Sequence, residues 1–383
     1  MYRRPVLTAA CLLALVALLF LRASDENKEY RETIYVFGTL VEIVIRDETI
    51  ETSRAAISEI TRFFKRVHVD WHAWKPGGEL GELNGALARG KAGEVSSELI
   101  WLLKLSRELA IQSDGLFEPA IGSLISVWGF HDDEPPKGSP PADETVLKLV
   151  AARPSLKDLV FEGNTVRSAN KSVRIDLGAV AKGAALDLAA AILKRRGIEN
   201  AVLNAGGDIN VLGRYAARGW KVAIRDPTSW QAIASVEMRP GEVLYTSGNY
   251  ERYLEHDGER FSHILDPRSG RPVADIVSAS VLHTNGAVAD AAATALSVAG
   301  PKGWARIAQR MGVEQALLID SGGKLFMTPA MGRRLKLHKP ATDIIVEEPT
   351  NSLVLMRKQR REIDSQPPGI EVDIPKNNDL TAR

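Results

Sequence analysis

Strand-like and helix-like spacings of apolar residues follow one another along the chain and predict a mixed α+β protein. Residues 33–46 are rich in β-branched and aromatic side chains and alternate over their second half, which predicts a strand or hairpin around Gly38. Residues 51–67 carry apolar side chains at helical spacing, and a second helix is expected within 96–112. Between them, residues 69–84 show neither period and predict a loop.

The second half alternates short strands with helices built from small residues. The alanine-rich stretch 176–197 predicts a helix that packs tightly on a sheet, and its first turn, near 178–183, offers backbone amides that can receive a phosphate. Two more helices of small residues are expected at 286–298 and 304–311. Strands are expected at 159–161, 173–177, 201–203, 220–225, 233–238, 242–245, 276–283, 315–319 and 324–327.

The predicted loop 69–84 contains two tryptophans, Trp71 and Trp74, which is unusual for a loop. In one interpretation the tryptophans pack inward and pin a surface loop. In the other they form a wall of a site for a planar ligand. The sequence leaves both interpretations open.

Composition and charge narrow the class of protein. The 383 residues are 45% hydrophobic and 25% charged, as in ordinary globular proteins, and could form one large or two smaller domains. The net charge of +1 gives no general attraction to nucleic acid, so no nucleic-acid partner is expected. The single cysteine, Cys11, excludes an intrachain disulfide and a cysteine metal cluster in this sequence.

The N-terminal region resembles an export signal. Arg3 and Arg4 precede an apolar run over 6–21, which is short for a spanning helix. Residues 1–23 are therefore predicted to be a signal peptide or a signal anchor, and Leu21 makes the cleavage site only fair. The body of the protein is expected to be periplasmic, with association to the inner membrane left open.

A stretch over 246–270 combines small residues with a candidate proton-transfer group. It opens on Thr246-Ser247-Gly248, which allow close approach of a bulky ligand, and ends on a turn that contains Asp266 and Pro267. His263 precedes that turn. A histidine beside an aspartate at a strand end is a common arrangement for proton transfer, and a hairpin with ordinary polar residues is the alternative.

Asp290 and Thr294 stand four residues apart on a predicted helix and therefore share a face. A carboxylate and a hydroxyl are oxygen ligands suited to Mg²⁺, which binds few protein groups together with phosphate oxygens and water. The alternative is an aspartate that caps a helix and a threonine that bonds its own backbone.

Three segments in this order resemble the ApbE family of FAD:protein FMN transferases. They read DLGAVAKG with GGD downstream (176–183 and 206–208), TSGNYERY leading to HILDPRSG (246–270), and ADAAATAL (289–296). FGTLVEI, WHAWKPGGELGELN and GLFEPAIGSL also match in place, so the resemblance covers about 34–328. It implies an α+β fold with mixed and antiparallel sheets packed with helices, in an ApbE, T-fold-like architecture.

The resemblance also implies an activity. A periplasmic, Mg²⁺-dependent transferase would cut FAD at its pyrophosphate, attach FMN through a phosphoester to a threonine or serine of an acceptor protein, and release AMP. By position, the metal ligands fall on Ala179, Asp290 and Thr294, and the catalytic histidine on His263. The flavin-site positions are Phe37, His72, Ala73, Trp74, Glu118, Lys182 and Leu265.

Several of these positions depart from the family's usual residues. Phe37 stands where methionine is usual, Glu118 replaces a common aspartate, and Lys182 stands where some members have glutamate. These departures concern flavin contacts more than the metal or the histidine.

Two other activities share the same parts. One is a Mg²⁺-dependent FAD pyrophosphatase, in which water replaces the acceptor hydroxyl. The other is a non-catalytic flavin-binding protein, which would not need Asp290, Thr294 and His263. The transferase domain is predicted over 33–330, followed by a polar tail, 340–383, that is expected to be disordered.

Overall fold

The structure is a computed structural model that describes residues 29–131, 134, 136–229, 231–338 and 343–348. The predicted signal peptide or anchor, 1–23, lies outside the described residues. Within the described ranges, no helix is both long and apolar enough to cross a lipid bilayer.

Most of the helices lie in the first half of the described chain, and ten consecutive strands separate α6 from α7. The helices are α1 (Ile50–Asp70), α2 (Glu79–Ala88), α3 (Ser97–Gln112), α4 (Gly122–Val127), α5 (Asp143–Ala151), α6 (Ala181–Arg195), α7 (Gly286–Arg310) and α8 (Pro329–Gly332). The strands are β1 (Glu29–Val36), β2 (Thr39–Arg46), β3 (Gly93–Glu94), β4 (Leu159–Glu162), β5 (Thr165–Ser168), β6 (Asn200–Ala205), β7 (Asp208–Leu212), β8 (Trp220–Arg225), β9 (Ala232–Met238), β10 (Val243–Gly248), β11 (Tyr253–His256), β12 (Glu259–Ser262), β13 (Leu265–Asp266), β14 (Arg271–Pro272), β15 (Ile276–His283), β16 (Gln315–Asp320), β17 (Leu325–Met327), β18 (Leu335–Leu337) and β19 (Ile344–Val346).

Among the described residues, the central feature is a nine-stranded sheet in the order β1-β2-β6-β7-β10-β15-β16-β17-β19. Its neighbouring strands are antiparallel, except that β19 runs parallel to β17. The predicted hairpin is confirmed, because β1 and β2 pair along their whole length around a turn in which Phe37 and Gly38 have φ of 56° and 70°. The predicted α+β class with mixed sheets is also confirmed.

Each face of the large sheet covers a separate apolar layer. Successive residues of a strand point to opposite faces, so in β2 Ile43 faces the helices and Val44 faces the other side. The helical side buries side chains such as Phe64 of α1 and Leu186 of α6. The other side packs on the smaller sheet β18-β9-β8 through residues such as Val236. The molecule therefore has a helical layer, a large sheet and a small sheet.

Helices α6 and α7 approach each other closely, a contact between helices that the sequence did not predict, although their small residues permit it. A Cβ atom on Gly183 would lie 2.3 Å from a backbone oxygen at the start of α7, so no larger residue fits there. Helix α7 spans both predicted helices, 286–298 and 304–311, and is kinked where Gly300 has φ of 69° and Pro301 follows. This helix carries two of the predicted metal ligands.

Part of the predicted loop 69–84 is instead helical. Helix α2 begins at Glu79, and its buried residues Leu80, Leu83 and Leu87 lie at helical spacing. Glycines at 81 and 85 lie between these leucines and concealed the pattern. The loop that carries the two tryptophans is therefore shorter than predicted.

The predicted strand 173–177 is also wrong. Arg174 makes an isolated bridge with Ile121, and the segment does not join a sheet. The backbone of Ile175 bonds the side chain of Asn84 instead, with Asn84 Nδ2 donating to Ile175 O at 2.8 Å and Ile175 N donating to Asn84 Oδ1 at 2.7 Å. Its β-branched residues are buried by this loop, so their apolar pattern reflects burial and not strand pairing.

Most of the predicted tail, 340–383, lies outside the described residues. Its described part, 343–348, contains β19, which pairs with the edge strand β17. Three consecutive β-branched residues, Ile344, Ile345 and Val346, account for this strand. The sequence prediction of a disordered tail did not anticipate it.

Candidate functional site

The residues singled out by the sequence meet at one large cavity of about 1160 Å³. Typical small-molecule sites have volumes of roughly 300–1,000 Å³, so this one has room for a large ligand such as a dinucleotide. Every residue assigned to flavin, metal or proton transfer lines it: Phe37, His72, Ala73, Trp74, Glu118, Ala179, Lys182, His263, Leu265, Asp290 and Thr294. These positions are far apart in sequence, so the fold brings them together.

Asp290 and Thr294 stand one turn apart near the start of α7 and face the cavity, as predicted. Oδ2 of Asp290 accepts a hydrogen bond from the amide of Gly183 at 3.0 Å. Oγ1 of Thr294 lies 3.2 Å from Oγ of Ser247 on β10. Asn285, and not Asp290, caps α7. The capping alternative holds for the other helix, because Gly183 lies in the first turn of α6. The pair is therefore fixed from two sides and presents oxygen atoms to the cavity.

Several of the amides around the first turn of α6, where the sequence predicted a phosphate site, already have partners within the protein. Gly183 donates to Asp290, and Gly178 donates to Asp176 at 2.8 Å. Val180 and Ala181 both donate to the carbonyl of Leu177, at 3.0 and 2.8 Å. Because these four amides already have partners, part of the positive charge for a phosphate at this place has to come from a side chain or a metal ion.

Lys182 supplies such a charge. Its ammonium group forms an ion pair with Asp208, the first residue of β7. Burial alone would lower the pKa of Lys182, but Asp208 and Asp290 raise it above its usual value, so the side chain is a permanent cation. The GGD segment belongs to the family pattern, but the sequence assigned Asp208 no role. Its ion pair joins residues 26 positions apart and leaves no local signal.

The same neighbourhood raises the pKa of Asp290. Burial, followed by repulsion from Asp208, raises it to about 7, although Lys182 and the Gly183 amide act in the opposite direction. A nearby divalent cation would favour the ionised carboxylate. Asp290 is therefore a buried carboxyl group that would lose its proton when a metal ion binds beside it.

A buried polar network holds the start of α7 against α6. Asp187 of α6 accepts from the amides of Gly286 and Ala287 at 2.7 and 3.2 Å and from Asn210 Nδ2 at 2.9 Å. The hydroxyl of Tyr245 donates to Asn210 Oδ1 at 2.7 Å. A carboxylate at a helix N-terminus is favourable, and this one sets the position of the helix that carries Asp290. The sequence prediction missed this network.

His263 is held with one ring nitrogen engaged. Its Nδ1 donates to the carbonyl oxygen of Arg252 at 3.0 Å, which leaves Nε2 as the unprotonated nitrogen of the neutral ring. Burial lowers the pKa of His263 to about 4, so the ring is neutral at ordinary pH. Asp266, which the sequence paired with the histidine, bonds Arg268 instead, at 2.8 to 3.2 Å. The backbone carbonyl therefore does the orienting expected of the aspartate.

The two tryptophans of the loop have different roles. Trp71 is 4% exposed and packs edge-on against Phe63, so it pins the loop to the core. Trp74 lines the cavity, donates from Nε1 to Asp176 at 2.7 Å, and stacks under the guanidinium of Arg174 at 3.8 Å. Both tryptophans contribute to the cavity lining, and Trp71 also packs inward, so each interpretation holds in part.

The remaining flavin-site positions form the rest of the wall. The ring of Phe37 packs edge-on against Phe64 and His68 at 5.4 and 5.7 Å. Nδ1 of His72 accepts from the Trp74 amide at 3.1 Å. Ala73 and Leu265 are buried apolar residues of the lining.

Glu118 has a structural role besides lining the cavity. Its carboxylate accepts from the Ser155 hydroxyl at 2.8 Å and from the amides of Leu156 and Ala120 at 2.9 and 3.2 Å. Burial raises its pKa, and these hydrogen bonds act against that rise. Most of its bonding capacity is therefore used to tie loops together behind the cavity.

Comparisons with known proteins place the chain among relatives of one family. A family model described as the ApbE family matches residues 37–318. An FAD:protein FMN transferase of Rhodobacter capsulatus is 51% identical over 321 residues, covering 83% of this chain. This chain spans 61% of that relative's length. An FAD:protein FMN transferase of Vibrio cholerae is 30% identical over 320 residues, covering 82% of this chain and 95% of the relative.

Solved structures show the same fold. The ApbE protein of Thermotoga maritima superposes with a TM-score of 0.73 at 28% identity and covers 80% of this chain and 99% of its own. The flavin transferase ApbE from Vibrio cholerae gives a TM-score of 0.71 at 26% identity, with coverages of 80% and 99%.

Proposed function

The chain belongs to the ApbE family, and from this premise we propose that it is an FAD:protein FMN transferase. The observation that carries the proposal is the convergence of the predicted flavin, metal and proton-transfer residues on one cavity. The names of the relatives agree with it. The substrates are FAD and an acceptor protein with a threonine or serine hydroxyl.

The cavity fits both parts of FAD. Its volume of about 1160 Å³ accommodates a dinucleotide, and Phe37 and Trp74 offer aromatic surface for a flavin ring. Lys182 also lines the cavity and offers positive charge to a pyrophosphate, while Asp290 beside it would hold a metal ion. An apolar wall with a few polar groups is the usual composition of a cofactor site.

The residues present also fit Mg²⁺. Asp290, Thr294 and the carbonyl of Ala179 offer hard oxygen atoms. Among the described residues, no three histidine, cysteine or acidic side chains are arranged so that they could hold a metal ion by themselves. A site with few protein ligands suits an ion that keeps phosphate oxygens and water in its shell. When bound there, Mg²⁺ would neutralise negative charge on the pyrophosphate.

His263 is the proposed base. The acceptor oxygen forms a bond to the phosphorus on the FMN side, and the bond from that phosphorus to the bridging oxygen breaks, so that AMP leaves. The proton of the acceptor hydroxyl passes to Nε2 of His263, which is free because Nδ1 donates to Arg252 O. The hydrogen bond to Arg252 O keeps the ring in a fixed orientation for this transfer.

The test uses the purified protein with FAD, Mg²⁺ and an FMN-acceptor domain. We expect mass spectrometry to find FMN attached to the acceptor and an equal amount of AMP in solution. A matched acceptor with valine at its acceptor position serves as control and should remain unmodified. AMP and free FMN without any conjugate would instead identify a pyrophosphatase, and FAD that binds without being consumed would identify a flavin-binding protein.

We also propose that the protein works in the periplasm, because Arg3 and Arg4 precede the apolar run over 6–21. Association with the inner membrane would follow if that segment stays uncleaved. Cell fractionation of the native host tests this, and full-length protein in the cytoplasmic fraction would contradict it.

A further inference from the structure

Lys182 is surrounded by acidic side chains beside the predicted metal ligands. It pairs with Asp208, and Asp290 and Glu251 also stabilise its charged form. The next residue, Gly183, donates its amide to Asp290, so the backbone of Lys182 is fixed next to that carboxylate. One ammonium group therefore faces three carboxyl groups that line the same cavity.

Asp208 is a rigid partner for this lysine. It is 4% exposed, and its Oδ1 accepts from the amide of Thr246 at 3.0 Å while Oδ2 pairs with Lys182. The preceding residues Gly206 and Gly207, with φ of 65° and 105°, form a turn that other residues rarely adopt. The carboxylate is thus held in place by backbone on both sides, and it limits where the ammonium group can go.

The two proposed ligands make opposite demands on this charge cluster. Mg²⁺ binds better the more negative the surroundings of Asp290 are, whereas the doubly negative pyrophosphate of FAD binds better the more positive they are. Four of the amides around the start of α6, those of Gly178, Val180, Ala181 and Gly183, already have partners and supply little to a phosphate. The local charge that Mg²⁺ and the pyrophosphate meet therefore depends mainly on Lys182 and on Asp208, the carboxylate that holds it.

We propose that the Lys182–Asp208 ion pair sets the balance between metal affinity and FAD affinity. Lys182 provides the fixed cation for the pyrophosphate, and Asp208 is a positioning residue that holds Lys182 and offsets its repulsion of Mg²⁺. This inference rests on the proposed function, since it assumes that FAD and Mg²⁺ share the cavity.

Two single substitutions test the proposal by the sign of their effects. FAD affinity is measured from flavin fluorescence in the presence of EDTA. Metal affinity is measured from the electron paramagnetic resonance signal of free Mn²⁺, which is lost when Mn²⁺ binds to the FAD-free protein. Lys182→Met should weaken FAD binding and strengthen Mn²⁺ binding, each on the order of ten-fold for the loss of one unit charge within the same cavity. Asp208→Asn should shift both affinities in the opposite directions.

The double variant Lys182→Met/Asp208→Asn separates charge balance from a structural role. Because one positive and one negative charge are lost together, both affinities should return to within about three-fold of wild type. It also leaves neither partner as an unpaired charge, so it is the variant expected to fold if a single one does not. If the pair only braces the fold, the single variants shift both affinities in the same direction and the double variant is no better, which overturns the proposal.

Two controls complete the design. The partly exposed pair Lys324–Asp343, at 3.0 Å, receives the same substitutions and should leave both affinities unchanged. Lys182→Arg keeps the charge and should keep Mn²⁺ affinity close to wild type. If wild-type protein fails to bind FAD, the proposed function itself fails. If it binds and transfers FMN while the variants show no opposite shifts, only the ion-pair proposal fails.

Discussion

Replacement of His263 by asparagine separates a proton-transfer role from a bracing role. The native Nδ1 donates to Arg252 O at 3.0 Å, and the amide nitrogen of asparagine occupies nearly the same position relative to the backbone. Asparagine therefore keeps the donor that holds the turn but lacks the basic nitrogen. We expect the variant to fold and bind FAD as wild type does while losing transfer.

The expected losses of stability and of transfer rate can both be estimated from the contacts of His263. The backbone amide of His263 also donates to Arg252 O, at 3.1 Å, so this carbonyl keeps a partner even in His263→Ala. The cost of a fully orphaned buried carbonyl, about 1–3 kcal/mol, is therefore avoided in both variants. Loss of general-base catalysis typically lowers a rate by about 10²–10⁴-fold. Catalysis should thus fall far more than stability.

The assay measures AMP release and acceptor mass under single-turnover conditions, with FAD affinity determined separately by fluorescence. His263→Gln is the matched variant, because its amide reaches the region of Nε2 but does not accept a proton near neutral pH. Both amide variants should show reduced turnover at unchanged FAD affinity. Normal turnover in His263→Asn would remove His263 from the proton transfer and leave it as a brace of the turn.

Further predictions address the metal, the helix contact and pH. Asp290→Asn keeps an acceptor for the Gly183 amide but loses the negative charge, so transfer should fall at least about 100-fold while FAD still binds. EDTA should abolish transfer by the wild-type protein, and added Mg²⁺ should restore it. Unchanged turnover of the variant at limiting Mg²⁺ would contradict the assignment of Asp290 as a metal ligand. Gly183→Ala would place its Cβ 2.3 Å from a backbone oxygen of α7 and should lower stability by about 1–3 kcal/mol in a thermal melt. Gly303→Ala, with its nearest contact at 3.5 Å, is the matched control and should be neutral or stabilising. Burial lowers the pKa of His263 from 6.5 to about 4, so the unfolded chain binds the extra proton between these values. The neutral ring thus contributes stability above pH 6.5 that is lost as pH falls toward 4, about 3 kcal/mol at most, and His263→Asn should flatten this dependence in denaturant titrations at pH 7 and 4.5.

Local patterns in the sequence determine much of the fold. The hairpin around Gly38, the long helix α1 and the small-residue helices α6 and α7 follow from spacing and from residue type. The four-residue spacing of Asp290 and Thr294 is sufficient to place them on one face, because helix geometry relates neighbours one turn apart.

Other features are not readable from local pattern. Residues 173–177 have the composition of a strand but lie in a loop bonded to Asn84. The glycines of helix α2 lower its helix propensity, so the sequence did not predict it. Tertiary packing of its buried leucines stabilises the helix in spite of that low propensity. In both segments the deciding partners come from elsewhere in the chain.

The site shows the same division. Family resemblance selected a set of residues that all line the cavity, but it did not assign their partners. Tertiary structure decided that Asp290 takes the Gly183 amide, that Arg252 and not Asp266 orients His263, and that Lys182 pairs with Asp208. The physical reason is that hydrogen bonds and charge pairs depend on distance in space, whereas sequence periodicity records only which face of an element is buried.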